Sequence, residues 1–373
     1  MKSQRRANLK ILFISAANNV HTVRWVNSLA DAGHEIHLVF LPNHRPSYHK
    51  INKNVTLHPL GVGGAIGYYL NALQLRRIFR QVKPDVVNAH YATGYGTLAR
   101  LARIKPVVLS VWGSDIFSFP KKSSIHKSIL KKNLLHADTI TSSSICMTDE
   151  IRSLFPDENF NLKTIPFGVD MEQFNYQKYS NTTKKNQITI GTVKTLRRNY
   201  RIDTVIKAAA ILAKDPTVTR DHELKFDIYG EGPLRHELQL LIDENNLSKM
   251  VTLKGGIPNA DVPKVLSDMD IFCVTSEHES FGVAVVEAML MRLPVVATDV
   301  DGFREVLGDD GLLANVGDPE DVADKLRRLI NKPELRKQLG KSAQQRAKEL
   351  YNWKDNVATM LAAYQDIVNR QNR

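Results

Sequence analysis

The sequence predicts an α/β protein built from two doubly wound, mostly parallel sheets. Three observations carry that expectation. Short β-branched apolar runs alternate with amphipathic stretches through the first half, a polar interval without periodicity interrupts them at residues 173–187, and the alternation restarts at Ile188. Parallel βαβ units give this text, because strands covered by helices on both faces read as apolar runs and each crossover needs a helix. At 373 residues the chain also exceeds what one hydrophobic core commonly organises.

In chain order, Leu9 to Ser15 is the first expected strand, Thr22 to Ala32 the first helix, stopped by Gly33, and Glu35 to Leu41 the next strand. The loop from Ala16 to His21 falls at the carboxyl end of a strand, where doubly wound sheets present ligands. It has no Gly-x-Gly-x-x-Gly, which argues against a dinucleotide site. His21 is a candidate contact there, with a solvated helix-start histidine as the alternative. Val86 to His90 ends in a histidine at the same kind of position, able to donate or accept near neutral pH, or else bonded within the fold. Val107 to Trp112 is followed by Gly113-Ser114-Asp115, which sets a carboxylate at that rim or caps the next segment.

Between Pro120 and Leu135, Ile125, Ile129, Leu130 and Leu134 fall on one helical face, and Lys121, Lys122, Lys127, Lys131 and Lys132 enrich the others. A basic amphipathic helix suits an anionic membrane surface, and Arg76, Arg77, Arg80 and Lys83 add charge in the same half. A packed helix with a solvated lysine face is the alternative. Thr139 to Ser144 and Thr164 to Gly168 close the first alternation. The second contains strands at Phe226 to Gly230, Met250 to Gly255, Ile271 to Thr275 and Pro294 to Val300, then helices at Pro319 to Ile330, Pro333 to Leu350 and Asn356 to Asn369.

The net charge of +12 is unevenly spread: residues 1–172 hold 22 basic and 11 acidic side chains, the remainder 29 and 28. Such asymmetry points the first half at a polyanion or an anionic membrane. No helix-turn-helix, zinc-finger or aromatic RNA-reading motif supports a nucleic-acid partner. No apolar run approaches the roughly 18 residues needed to span a bilayer, and the basic, briefly apolar start lacks a cleavage site, so export is not expected. Cys146 and Cys273 read as separate thiols of a reducing compartment, which would leave the Asn181-Thr182-Thr183 sequon unused. No Cys/His cluster has zinc-ligand spacing.

The chemistry concentrates between Ser276 and Glu305. A strand ends, a loop carries Glu279, Ser280, Phe281 and Gly282, and a helix begins that carries Glu287. Amides of Ser280, Phe281, Gly282 and Val283 at a helix start suit a phosphate, while two carboxylates eight positions apart suit hydroxyl groups at either end of a ligand. The alternative is a solvated loop acid and a paired helix acid.

The ordered set of Gly191 near Lys194, Gly230-Glu231-Gly232-Pro233, Ser276, Glu279-Ser280-Phe281-Gly282, Glu287-Ala288-Met289, Pro294 to Thr298 and Gly302 near Glu305 resembles the donor domain of retaining glycosyltransferases of family 4. His90, Gly113-Ser114-Asp115 and Phe167-Gly168-Val169-Asp170 extend the resemblance over the first half. It implies a GT-B architecture, two Rossmann-like domains facing each other across a cleft. Residues 1–172, joined by a returning helix at 356–373, would take the acceptor; 173–187 would link them; 188–355 would take the nucleotide-sugar donor.

Carried over by motif, Glu287 would bind the ribose, Glu279 the sugar hydroxyls, and the amides around Phe281 to Val283 the sugar or diphosphate. Gly232 would join the donor site and His90 would line the reaction centre. Lys194 would clamp the diphosphate, with Arg198 as the best substitute for the family's second lysine, since Asn199 stands roughly at that position. Arg292 and Asp301 replace glycines common there. Asn19, in place of a glycine, would join His21 and Asp115 on the acceptor side. The resemblance further implies retention of anomeric configuration, no metal or cofactor beyond the nucleotide sugar, and a role in cell-surface polysaccharide or glycolipid assembly. The basic first half and the absence of a spanning run point to a cytoplasmic enzyme peripheral on the inner face of the plasma membrane. A nucleotide-sugar epimerase or a phosphorylase is the competing enzyme class.

Overall fold

The computed structural model describes residues 8–47, 50–179 and 187–371. Two parallel sheets form. The first holds β1 (Lys10–Ile14), β2 (Glu35–Phe40), β3 (Val55–Pro59), β4 (Val86–His90), β5 (Val107–Val111), β6 (Thr139–Ser142) and β7 (Leu162–Thr164), in the order β3-β2-β1-β4-β5-β6-β7. The second holds β8 (Gln187–Val193), β9 (Glu223–Tyr229), β10 (Val251–Gly255), β11 (Ile271–Val274), β12 (Val295–Thr298) and β13 (Leu312–Ala314), in the order β10-β9-β8-β11-β12-β13. In each, the chain starts at the centre, winds to one side and then crosses to the other. The switch points, β1/β4 and β8/β11, are where such sheets bind ligands. Every residue of β4, β5, β11 and β12 is buried, as expected for strands covered by helices on both faces.

Contacts divide the chain into one unit that runs to Pro166 and includes Asp355–Arg373, and another that runs Phe167–Lys354. The last helix, Trp353–Gln371, is built into the first unit by polar as well as apolar contacts. Asn88 Nδ2 donates to the Tyr364 hydroxyl at 2.5 Å, Lys163 meets Asp366 at 2.6 Å, and Asn356 donates to the Pro166 carbonyl at 2.7 Å.

Several expectations change. The strand expected at Thr164 to Gly168 is β7, which ends at Thr164. Two edge strands carry no sequence signal: β3 fully buries only Val55 and ends in Pro59, and β13 has three residues. Of the polar interval, Gln173 to Tyr179 packs onto the second unit. Phe174 is buried, and Gln173 donates to the Asn259 carbonyl at 3.1 Å. Two aromatic side chains within polar text hold it, Phe174 in the core and Tyr176 under the Arg292 guanidinium at 4.7 Å. Ser180 to Asn186, with the sequon at Asn181, lie outside the described residues.

The lysine-rich helix, Ser124–His136, also differs from its expected face. Leu130, Leu134 and the polar Asn133 are buried, whereas Ile125 is 69% exposed. Lys121 pairs with Glu150 and Lys131 with Glu158, and Lys127 lies over the Phe155 ring, so much of the positive face is satisfied internally. Among the described residues no helix is long and apolar enough to cross a membrane. Cys146 and Cys273 are both free thiols, and burial pushes that of Cys273 up to about 12.

Candidate active site

In the second unit, β8 and β11 are hydrogen-bonded neighbours, so the loops leaving their carboxyl ends lie side by side. The Glu277 amide donates to the Asn199 carbonyl at 2.9 Å, and the Thr275 hydroxyl donates to the Arg201 carbonyl at 2.7 Å. Across this seam Lys194 donates to Glu279 Oε2 at 2.6 Å, with 14% and 16% of the two side chains exposed. The ammonium also lies 4.5 Å from the centroid of the Tyr200 ring. Charge pair and aromatic face together hold one cation at the end of the central strand.

Two glycine contacts fix the backbone around it. Gly230, at φ +146°, has no room for a side chain: a Cβ there would sit 1.9 Å from the Lys194 carbonyl oxygen. At Gly232 it would sit 2.4 Å from that of Leu196. The 230–232 loop therefore closes directly on the Lys194–Leu196 segment, with the Leu196 amide donating to Glu231 O at 3.0 Å. On the other side Gly302 donates to the Glu279 carbonyl at 3.2 Å. The helix Val283–Leu290 then starts at Gly282, whose φ of +95° is left-handed, and no side chain caps its first turn. Phe281 is 2% exposed and packs edge-on against Tyr351 at 5.2 Å and Phe167 at 6.0 Å. It anchors the loop in the core, with Gly282 buried beside Phe303 and Ser280 and Val283 half-buried on either side. Glu287 is half-buried on the same helix. Arg198 is exposed on the turn Arg198–Tyr200 and lines a cavity of about 570 Å³ with Arg201, Asp203 and Glu277.

In the first unit, His90 is 1% exposed at the end of β4. Its Nδ1 is 3.0 Å from the Ser15 hydroxyl, itself 2.7 Å from that of Thr22, and its ring is 4.5 Å from Trp112. His21 packs on the same indole at 5.8 Å. Burial, then the neighbouring His21, drive the His90 pKa down to about 3; burial and Arg24 drive that of His21 to about 4. Both imidazoles are neutral at physiological pH.

The other two acceptor-side candidates do different work. Asp115 is buried and accepts from the amides of Ala92, Trp112 and Gly113 at 2.9, 3.1 and 2.9 Å, burial raising its pKa against the pull of those amides. It clasps the loops after β4 and β5 rather than facing a ligand. Asn19 caps the helix Val20–Asp31 by accepting from the amides of His21 and Thr22. Short polar side chains at strand-to-helix junctions satisfy the free amides there first. Among the described residues no group of three or more His, Cys, Asp or Glu side chains is placed to share a metal ion.

Residues 174–346 match the family described as Glycosyl transferases group 1, and residues 10–144 match Glycosyl transferase 4-like. The chain is a family-4-like glycosyltransferase. The N-acetyl-alpha-D-glucosaminyl L-malate synthase of Bacillus anthracis is 26% identical over 362 residues, covering 91% of both chains. The poly(ribitol-phosphate) alpha-N-acetylglucosaminyltransferase of Staphylococcus aureus is 31% identical over 183 residues, covering 48% of this chain and 36% of that one. Among solved structures, the sucrose-phosphate synthase of Thermosynechococcus elongatus superposes with a TM-score of 0.82 at 18% identity, over 97% of this chain and 100% of that one. HepE of Anabaena, in complex with UDP and glucose, has a TM-score of 0.76 at 18% identity, over 96% and 100%. The fold is that of GT-B glycosyltransferases.

Each unit also contains groups that the sequence did not mark. In the second, Tyr200 seats Lys194; in the first, Trp112 gathers the two histidines and Ser15 orients His90. Arg201, in a left-handed conformation at φ 47°, bonds Asp203 and Glu277, which hold its guanidinium pKa above its ordinary range. Tyr200 lies six positions beyond Lys194, so a lysine-to-aromatic spacing was the one available signal.

The neutral histidines make the fold sensitive to acid. The unfolded chain protonates His90 and His21 below about 6.5, while the folded chain resists to about 3 and 4. Between these limits the unfolded state binds more protons, so stability is full above that range and falls as pH drops. The slope from His90 is up to ~1.4 kcal/mol per pH unit. Thermal unfolding between about pH 7.5 and about pH 4.5 should show a falling midpoint, and His90→Gln should flatten the slope.

Proposed function

We propose that this glycosyltransferase is retaining and metal-independent, moving a sugar from a nucleotide-sugar donor to a hydroxyl of a glycan or lipid-linked acceptor in cell-surface polysaccharide or glycolipid assembly. The observation that carries the reading is the Lys194–Glu279 pair beside the uncapped start of Val283–Leu290, at the switch point of the second sheet. As the donor's anomeric bond breaks, negative charge grows on the departing diphosphate; a preorganised ammonium and backbone amides stabilise it without a metal. Glu279, held by Lys194, accepts hydroxyls of the donor sugar, and Glu287 accepts those of the ribose. Neutral His90, oriented by Ser15, is a hydrogen-bonding group for the reacting sugar, with His21 on the acceptor side. The leaving phosphate takes the acceptor proton.

The names of relatives support the reading. Those from Bacillus anthracis and Staphylococcus aureus carry alpha-linked N-acetylglucosamine in their names, and an alpha product from an alpha-linked nucleotide donor is retention. The second is named for poly(ribitol-phosphate), a phosphate-containing polymer, and HepE holds UDP.

The test is calorimetric titration of uridine, guanosine and thymidine diphosphate sugars, followed by product anomer analysis. Glu287→Gln should weaken binding of the preferred donor by about 1.5–3 kcal/mol, the range for a hydrogen bond to a charged group. His90→Ala should instead lower kcat more than donor affinity. Unchanged affinity in the Glu287 variant removes the ribose role, and conversion of donor without an acceptor returns the reading to an epimerase.

A further inference from the structure

Four large apolar side chains stand out of the first unit within eight residues: Ile66, Tyr69, Leu70 and Leu73 are 59%, 53%, 62% and 81% exposed. They lie on the helix Gly64–Leu70 and the start of the next, Ala72–Val82. The turn that carries them is fixed from beneath. Asn71 is buried and donates to the Val62 and Gly67 carbonyls, both at 2.8 Å, while its oxygen accepts from the Val62 amide at 3.1 Å. Gly67 packs so closely that a Cβ would sit 2.3 Å from the Val62 carbonyl oxygen. The apolar tips are therefore held out by a rigid base.

Basic charge surrounds them. The second helix buries Leu75, Ile78 and Val82 and exposes Arg77 and Arg80, with Lys83 exposed at its end. From Ile36 to Pro84 the sequence contains seven Lys or Arg residues and no Asp or Glu. Asp85, which follows, is engaged with the Lys10 amide at 2.7 Å. The apolar turn also lies at the ligand-binding edge of its sheet. It follows the carboxyl end of β3, and the Gly64 amide donates to Asn43, in the turn after β2, at 2.8 Å.

We propose that this surface, Gly64 to Lys83, docks the chain on an anionic lipid bilayer, with Ile66, Tyr69, Leu70 and Leu73 entering the headgroup–acyl boundary and Arg77, Arg80 and Lys83 meeting lipid phosphates. The inference rests on the reading of the chain as a transferase for a lipid-linked or surface glycan, and it brings the acceptor edge of the first sheet to the membrane. It displaces the lysine-rich stretch Lys121 to Lys132 from that role, because Lys121 and Lys131 are already paired with acids. A second copy of the chain fits less well. A two-fold interface would set this basic stretch against itself with no acid between.

The test is cosedimentation of the full chain with vesicles of phosphatidylglycerol and phosphatidylcholine, against phosphatidylcholine alone, at low and high salt. The wild type should bind only the anionic vesicles. Arg77→Glu with Arg80→Glu should reduce binding by about tenfold or more at low salt, each basic residue contributing roughly fivefold. Leu70→Asp with Leu73→Asp should remove the fraction that survives high salt. Both variants should keep the wild-type unfolding midpoint and donor affinity, as the altered side chains are exposed and outside the donor site. Wild-type vesicle binding in both variants overturns the proposal. So does loss of binding only in Lys122→Glu with Lys132→Glu, or a change from dimer to monomer with vesicle binding unaltered. Vesicle binding is read without any donor, so a wild-type chain that binds vesicles but no nucleotide sugar sinks the transferase reading and leaves this one standing.

Discussion

Lys194→Ala should lower kcat/KM for sugar transfer by two to three orders of magnitude, the range for loss of one preorganised charge-stabilising donor. The ammonium meets Glu279 and the Tyr200 face while remaining largely buried, so it needs little reorganisation when the diphosphate departs. Alanine removes that cation and also leaves a largely buried carboxylate without its partner, which costs stability. The two effects separate in a double-mutant cycle. Lys194→Ala with Glu279→Gln should recover unfolding midpoint but not turnover. Equal turnover in Glu279→Gln and in the double variant would show that Lys194 acts only by holding Glu279.

Gly302→Val should destroy the donor site with no change to any charged group. A Cβ at Gly302 would lie 2.3 Å from the Glu279 carbonyl oxygen and 2.7 Å from the Phe281 amide nitrogen. Both are backbone atoms of the loop that carries the donor contacts, and neither can turn aside as a flexible side chain would. The loop must move, taking Glu279 and the start of Val283–Leu290 with it. A displacement of about 1 Å commonly costs about a hundredfold in turnover, and the unfolding free energy should fall by about 1–3 kcal/mol. Gly256→Ala is the control, since its Cβ would meet only the Glu231 side chain at 3.3 Å. Normal donor binding by Gly302→Val, measured by calorimetry, would refute the steric account.

Strongly buried elements were legible in the sequence because burial leaves an apolar run: the expected bounds of β4 are those observed, and β1 and β5 differ by a residue at one or both ends. Edge strands β3 and β13 were not, as an edge strand can bury few side chains and takes its register from its neighbour. At the site, motif and spacing marked Lys194, Glu279 and Glu287, and the structure brings the first two into contact. Asp115 and Asn19 show the limit of such reading. A polar residue at a strand end has the same letter whether it faces a ligand or the backbone, and only the amides of Ala92, Trp112 and Gly113 reveal which need Asp115 meets. Tyr200 and Trp112 were missed because their contribution is a ring face, which depends on geometry between loops.

The helix Trp353–Gln371 gives the two units different histories on the ribosome. Phe167–Lys354 is a continuous stretch, complete as soon as it has emerged. The first unit emerges earlier but waits longer, because Asn88 finds its phenol partner Tyr364 only after 276 further positions have been translated. Until then Asn88, within the fully buried β4, lacks its phenol partner, a condition that favours chaperone capture or aggregation. The domain made first is therefore the one finished last.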